Sequence, residues 1–356
     1  MTDTLSDLSR HATWREIQAQ PAIWAAWGSA LPVAEIRAWI KELQVDEVWF
    51  CGAGTSAFVG EIIVAGLEGH TGPRLRAIPS TDLVSRPWAY LTGRKPLVVS
   101  FGRSGNSTES IGTLDALDAL APAAPRLHIT CNPAGVLATR PSTGPQKVVV
   151  LPGATHDAGF AMTSSFSTML LTALAVFDVD CDLPSRLGRL ANQFSTFLPT
   201  YETMAKNWPI PDRLVFLGAG PLGFAARESA LKVMELTAGR VCALWDSTLG
   251  FRHGPKSFVR DRTDIVVFMS PDPHAARYDT DLVSELRQQY PRANVTPLTH
   301  DLPYGAAWGA PLFVGLAQVL AVVWSDRLGL NVDDPFSGQG TLSRVVSGVK
   351  LYPVAR

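Results

Sequence analysis

An apolar strand that runs into Gly-Ala-Gly, and then into small residues opening a helix, occurs twice in this chain. The two copies are EVWFCGAGTSAFVGEI and RLVFLGAGPLGFAARESALK, whose glycines Gly52 and Gly218 stand 166 positions apart. A repeat on that scale places one α/β unit in each half, and 356 residues suffice for two cores. Further β-rich runs follow in the first half at PLVVSF, LHIT and KVVVL, separated by helical spacing such as STESIGTLDALDALA. The second half repeats the plan with RVCALW, DIVVFMS and ANVTPL, split by ALKVMEL and TDLVSELRQQY. Strands alternating with helices predict a parallel sheet covered on both faces. The expected fold is α/β: two tandem doubly wound parallel-sheet domains of flavodoxin-like, three-layer type, with N-terminal helices.

The helical stretch SRLGRLANQFSTFLPTYETMAKNW precedes the Pro-rich break PIPD, so the domain boundary is expected near residue 209. This gives a first domain over 46–208 and a second over 209–356 with a C-terminal tail. Residues 1–45, with WREIQAQPAIWAAW and IRAWIKEL, read as helices packed on the outside of the first sheet, their tryptophans in the core and not a ligand platform.

A formal net charge of -1 leaves no basic excess for a nucleic-acid backbone or an anionic membrane, so neither is an expected partner and any bound anion is small. Cys51, Cys131, Cys181 and Cys242 form no CxxC pair and read as buried free thiols of a reducing compartment. MTDTLSDLSRH lacks the marks of a signal peptide, and MLLTALAVF, taken as the longest apolar stretch, is too short to span a bilayer. The expected location is the cytoplasm.

Open parallel sheets bind ligands beyond the carboxyl ends of their strands, where helix N-termini present N–H groups. Gly54, Thr55 and Ser56 occupy that place after EVWFC. Ser100, Arg103, Ser104, Asn106, Ser107 and Thr108 occupy it after PLVV, offering hydroxyls, a backbone nest and one guanidinium to a phosphate monoester. A third turn, Thr130-Cys131-Asn132, is weaker. GAGPLG matches a dinucleotide fingerprint and Asp246 ends the next strand run, but the first repeat breaks that pattern with Ala57. In the helix that follows, Glu228, Lys232 and Glu235 share one face while Leu231 and Met234 take another. That face reads either as a solvated ion-pair surface or as a site. Context favours the site, since His253 is fixed in a turn between Arg252 and Gly254-Pro255. No His, Cys and Asp grouping has metal-ligand spacing.

GAGTS, SFGRSGNS, ESALKxxE and RHGP, in this order, resemble the tandem SIS (sugar isomerase) domains of the isomerase half of glucosamine-6-phosphate synthase and its relatives. More narrowly, GAGTSAF, STDLV, SFGRSGNS, THDAGFAMTSS, ARESALK, ELTAG and GFRHGPKS resemble the galactosamine-6-phosphate deaminase/isomerase group, also called tagatose-6-phosphate ketose/aldose isomerases. The resemblance implies that Ser56, Ser104 and Ser107, aided by Thr55 and Arg103, hold a sugar phosphate, and that Glu235 is the base. It further implies that Lys232 lines the open-chain sugar, that Glu228 is an additional acid, and that His253 helps open the ring from the neighbouring subunit. A homodimer or larger assembly follows, and no cofactor. The implied reaction takes galactosamine 6-phosphate to tagatose 6-phosphate and ammonia.

The chain also departs from the synthase pattern. It begins MTDTLSD with no glutaminase domain, which favours deamination, and it places Arg344 and Gly250 where the synthases keep Lys and an acid. Arginine forms no Schiff base at neutral pH, so no covalent imine with the enzyme is expected. His156 and Asp157 read either as an acid/base pair peculiar to the subgroup or as a loop cap. The sugar epimer, simple aldose/ketose exchange, deglycation of a fructosamine phosphate, a non-catalytic sensor role, and dimer against tetramer stay open at this level.

Overall fold

The computed structural model describes residues 7–178 and 182–354. Two helices, α1 (Ala12–Ala30) and α2 (Val33–Leu43), precede β1 (Glu47–Cys51) and α3 (Thr55–Gly66). There follow β2 (Arg74–Ala77), α4 (Ser80–Ser85), α5 (Pro87–Leu91), β3 (Leu97–Gly102), α6 (Thr108–Leu120), β4 (Arg126–Thr130), α7 (Val136–Thr139), β5 (Gln146–Val150) and α8 (Ser164–Phe177). The long helix α9 (Leu183–Asn207) leads to β6 (Arg213–Gly218), α10 (Pro221–Leu236), β7 (Cys242–Ser247), β8 (Thr263–Phe268), α11 (Pro273–Gln289), β9 (Asn294–Leu298) and α12 (Ala306–Arg327).

Every strand pairing is parallel, in the orders β2-β1-β3-β4-β5 and β7-β6-β8-β9. The chain therefore reverses direction across each sheet between β1 and β3 and between β6 and β8, the crevices where doubly wound sheets take their ligands. The two copies of Gly-Ala-Gly share one backbone device. Gly54 and Gly220 sit at φ +56° and +55°, a region only glycine enters at low cost, each directly before its helix. At Gly52 and Gly218 a Cβ would lie 2.5 and 2.6 Å from the next helix, so a side chain would push each helix off its strand.

One continuous core joins the halves. The inner faces of both sheets, with Phe50, Val99 and Ile129 on one and Phe216 and Phe268 on the other, pack on a layer containing α1, α8, α9, α10 and α12. The outer faces have their own cores: Trp49, Val98 and Leu117 on the first, Val215, Ile265 and Leu286 on the second. The N-terminal helix therefore lies elsewhere than expected. α1 packs chiefly against α9, with α8 and α12 beside it, because Trp24 stacks on Phe194 at 5.1 Å and its indole donates to Ser167 Oγ at 3.1 Å. We place the division between the two units near residue 209, between α9 and β6.

Two further readings are corrected. MLLTALAVF is not the longest apolar stretch, since the 22-residue α12 is long and apolar enough to cross a membrane. Its apolar surface is instead enclosed almost throughout by the protein's own core. Cys51 and Cys131 are buried free thiols, with burial pushing Cys131 up to about 12, but Cys242 is exposed on the edge strand β7. Cys181 lies outside the described residues.

Candidate active site

The charged face of α10 is turned inward. Glu228 and Lys232 are fully buried and Glu235 keeps 23% of its side chain exposed, whereas Met234 on the opposite face is open to solvent. The solvated ion-pair reading therefore fails. Lys232 Nζ lies 2.7 Å from Glu235 Oε2, 3.3 Å from Glu228 Oε1 and 3.1 Å from Thr55 Oγ1. The Thr55 hydroxyl in turn donates to Glu228 Oε1 at 3.2 Å. Burial pushes the Glu228 carboxyl up to about 7, against the pull of Lys232. Burial also works against the Lys232 charge, but Glu228 and Glu235 overcome it and raise its pKa. The result is an ammonium beside one partly exposed carboxylate, a pair that suits proton abstraction next to a carbonyl.

The serine turn after β3 is shaped by its own caps and turn hydrogen bonds. Ser107 is the N-cap of α6, its Oγ accepting from Ser110 N at 3.2 Å. Gly105 takes φ +65°, Ser104 Oγ accepts from Asn106 N, and the Asn106 amide oxygen caps Val136 N at 2.8 Å. The Thr108 N–H donates to the carbonyl of Val346 in the C-terminal tail at 3.2 Å. Ser56, at the start of α3, is buried with its Oγ 3.9 Å from Met162 Sδ. Ser100, within β3, is buried with its hydroxyl unpartnered.

Other sequence-derived candidates fall into different places. Arg103 is buried and donates to the carbonyls of Gly159, Phe160, Ala161 and Arg344, so its guanidinium binds backbone while its charge still acts on Glu235. Asp157 is a cap. Its carboxylate accepts from the N–H groups and hydroxyls of Thr163, Ser164 and Ser165 at the start of α8. Arg344 donates to the Asp157 carbonyl and ties the tail to this loop. His156 is half-buried, its pKa lowered by burial and then by Arg344 and Arg103. His253 is exposed on a 3-10 turn (Gly250–His253) and makes no bond to the α10 cluster. At Gly250, in the same turn, a Cβ would meet Ser247 Oγ at 2.5 Å and Asp246 Oδ1 at 2.7 Å, so both side chains would have to swing aside.

Glu16 on α1 escaped sequence reasoning. It accepts from the N–H groups of Ala158 and Gly159, fixing the loop whose carbonyls hold Arg103. Burial, reinforced by Asp157, pushes it up to about 7. The signal was present: Thr13, Glu16 and Gln20 repeat at helical spacing among the tryptophans, and polar residues there demand partners inside the protein. Among the described residues no group of three or more His, Cys, Asp or Glu side chains is placed to hold a metal ion.

No family model matches the chain. It is 38% identical to D-galactosamine-6-phosphate deaminase AgaS of Escherichia coli over 96% of each chain. The chain belongs to the AgaS family. A Streptomyces coelicolor protein named as a putative D-galactosamine-6-phosphate deaminase AgaS is 39% identical over 96% of this chain and 95% of that one. The crystal structure of the Escherichia coli tagatose-6-phosphate ketose/aldose isomerase superposes with a TM-score of 0.88 at 34% identity, covering 98% of this chain and 99% of the other. The glucosamine-6-phosphate deaminase of Thermotoga maritima, at 24% identity and a TM-score of 0.74, shares the fold.

Proposed function

We propose that this AgaS-family enzyme converts galactosamine 6-phosphate to tagatose 6-phosphate and ammonia. The observation that carries the mechanism is the 2.7 Å contact between buried Lys232 and Glu235, the one member of the α10 cluster that reaches solvent. The serine turn, through Ser104 and Ser107, and Ser56 at the start of α3 hold the phosphate. With the ring open, the Glu235 carboxylate takes the C2 proton. Lys232 stabilises the negative charge that develops on the oxygen at C1. Glu235 returns the proton to C1, and as the amine nitrogen gives up a proton the oxygen at C1 takes one, which leaves a hydroxyl at C1 and an imine at C2. Water adds to that carbon and the C–N bond breaks, giving the ketone and ammonia. Proton transfer of this kind contributes about 10² to 10⁴ in rate.

Ring opening falls to His253 of a neighbouring copy in a homodimer or larger assembly. The motive is its exposure, together with that of Leu249, which directly precedes the same turn and is 48% exposed. Sedimentation showing only a monomer at assay concentration would remove His253 from this scheme. A reducing, cytoplasmic setting suits the free thiols Cys51 and Cys131.

A second reading, plain aldose/ketose exchange, has its support in the name of the superposed isomerase. It uses the same proton transfer without nitrogen. Ammonia release and ketose formation measured over a panel of 2-amino and 2-hydroxy hexose 6-phosphates separates the two. Ammonia from galactosamine 6-phosphate at the highest kcat/KM supports the deaminase; turnover confined to 2-hydroxy sugars replaces it with the isomerase.

A further inference from the structure

The catalytic face of α10 is held by one atom from the other half of the chain. Thr55 is the first helical residue of α3, only 4% exposed, and its hydroxyl reaches α10. It accepts from Lys232 and donates to Glu228, so its single proton is committed and cannot be given to a phosphate oxygen. Glu228 Oε2 is buried with no hydrogen-bond partner, which leaves Thr55 and Lys232 as the groups that meet this carboxylate. Next along the same two helices, Arg227 pairs with Glu61 at 2.6 Å and lies 4.2 Å over the Phe58 ring, so α3 and α10 are locked in register around the hydroxyl. The Thr55 hydroxyl is thereby drawn into the α10 cluster and away from any phosphate.

We propose that Thr55 is a positioning residue for the base and not a phosphate ligand: its hydroxyl fixes Lys232 where the ammonium bonds one oxygen of Glu235, leaving the other oxygen to the substrate. This rests on Glu235 being the base. The charged groups around the hydroxyl are Glu228, Lys232 and Glu235 on α10, Arg103 from the turn after β3, and the Glu61–Arg227 pair. Serine in place of Thr55 keeps both hydrogen bonds, whereas valine keeps the shape and loses both.

The test compares Thr55→Val and Thr55→Ser with the wild type. Ammonia release from galactosamine 6-phosphate is followed against pH, and inorganic phosphate is titrated by thermal shift. For Thr55→Val kcat falls roughly 100-fold, and KM and phosphate affinity stay within about twofold of wild type. Its pH profile also departs from the wild-type one, because Lys232 is displaced within the charged cluster. Thr55→Ser recovers most of the rate and the wild-type profile. A Thr55→Val enzyme that loses phosphate affinity while keeping kcat makes Thr55 a phosphate ligand and overturns the proposal; so does one with unchanged kcat and pH profile. Thr55→Ala makes the same comparison should Thr55→Val fail to fold. Glu235→Gln is assayed alongside. Turnover retained there sinks the assignment of the base, whereas an inactive Glu235→Gln beside an unaltered Thr55→Val sinks only the role of Thr55.

Discussion

Two buried glutamates bind more protons folded than unfolded, and each does so for a reason visible at the residue. Burial acts first on both, with Asp157 and then Asp333 adding to it at Glu16 and Glu235 adding to it at Glu228. Their carboxyls sit at about 7 against an ordinary 4.5, so the folded state holds the extra protons between those values and stability falls as pH rises through that window. Glu16→Gln keeps an oxygen for the Ala158 and Gly159 N–H groups and removes the charge. Its melting temperature should match wild type near pH 4.5 and exceed it by about 1 to 3 °C above pH 7. An advantage that shrinks with rising pH would contradict this. Arg103 shows what a residue's type hides. A guanidinium in a serine turn suggests phosphate, yet its Nη1 and Nη2 donate to four backbone carbonyls, and carbonyls carry no signature in the sequence.

At the level of elements, α8 starts where Asp157 gathers three backbone N–H groups and three hydroxyls. Asp157→Ala strips those buried donors and should lower the unfolding free energy by about 3 kcal/mol, read as a lower denaturant midpoint. Unchanged stability with abolished turnover would instead make Asp157 an acid/base group. The strands of both sheets were legible as apolar runs, except β2. It is an edge strand written Arg-Leu-Arg-Ala and only partly buried, so no hydrophobic pattern marks it. α12 was missed for the opposite reason. A helix surrounded by core is apolar on every side and loses the polar stripe that announces an amphipathic helix. The α10 face was legible as a set of residues but not as inward-facing, because its packing against α3, α12 and the second sheet decides that Lys232 is buried and Met234 is not.

On the scale of the whole molecule, the repeat explains how the site is assembled. Each half makes the same strand, glycine turn and helix, and in the proposed mechanism the halves divide the work: the first supplies the serine turn after β3 and the Thr55 hydroxyl, the second the charged face of α10. A shared core containing α1, α9 and α12 holds the two in register. The pairing of serine turn and base is the claim on which the reaction depends. Ammonia release from galactosamine 6-phosphate by Glu235→Gln, with inorganic phosphate binding measured on the same sample, tests it most directly. The account predicts turnover lowered about 10²- to 10⁴-fold with phosphate binding preserved. Wild-type ammonia release by that variant would contradict it.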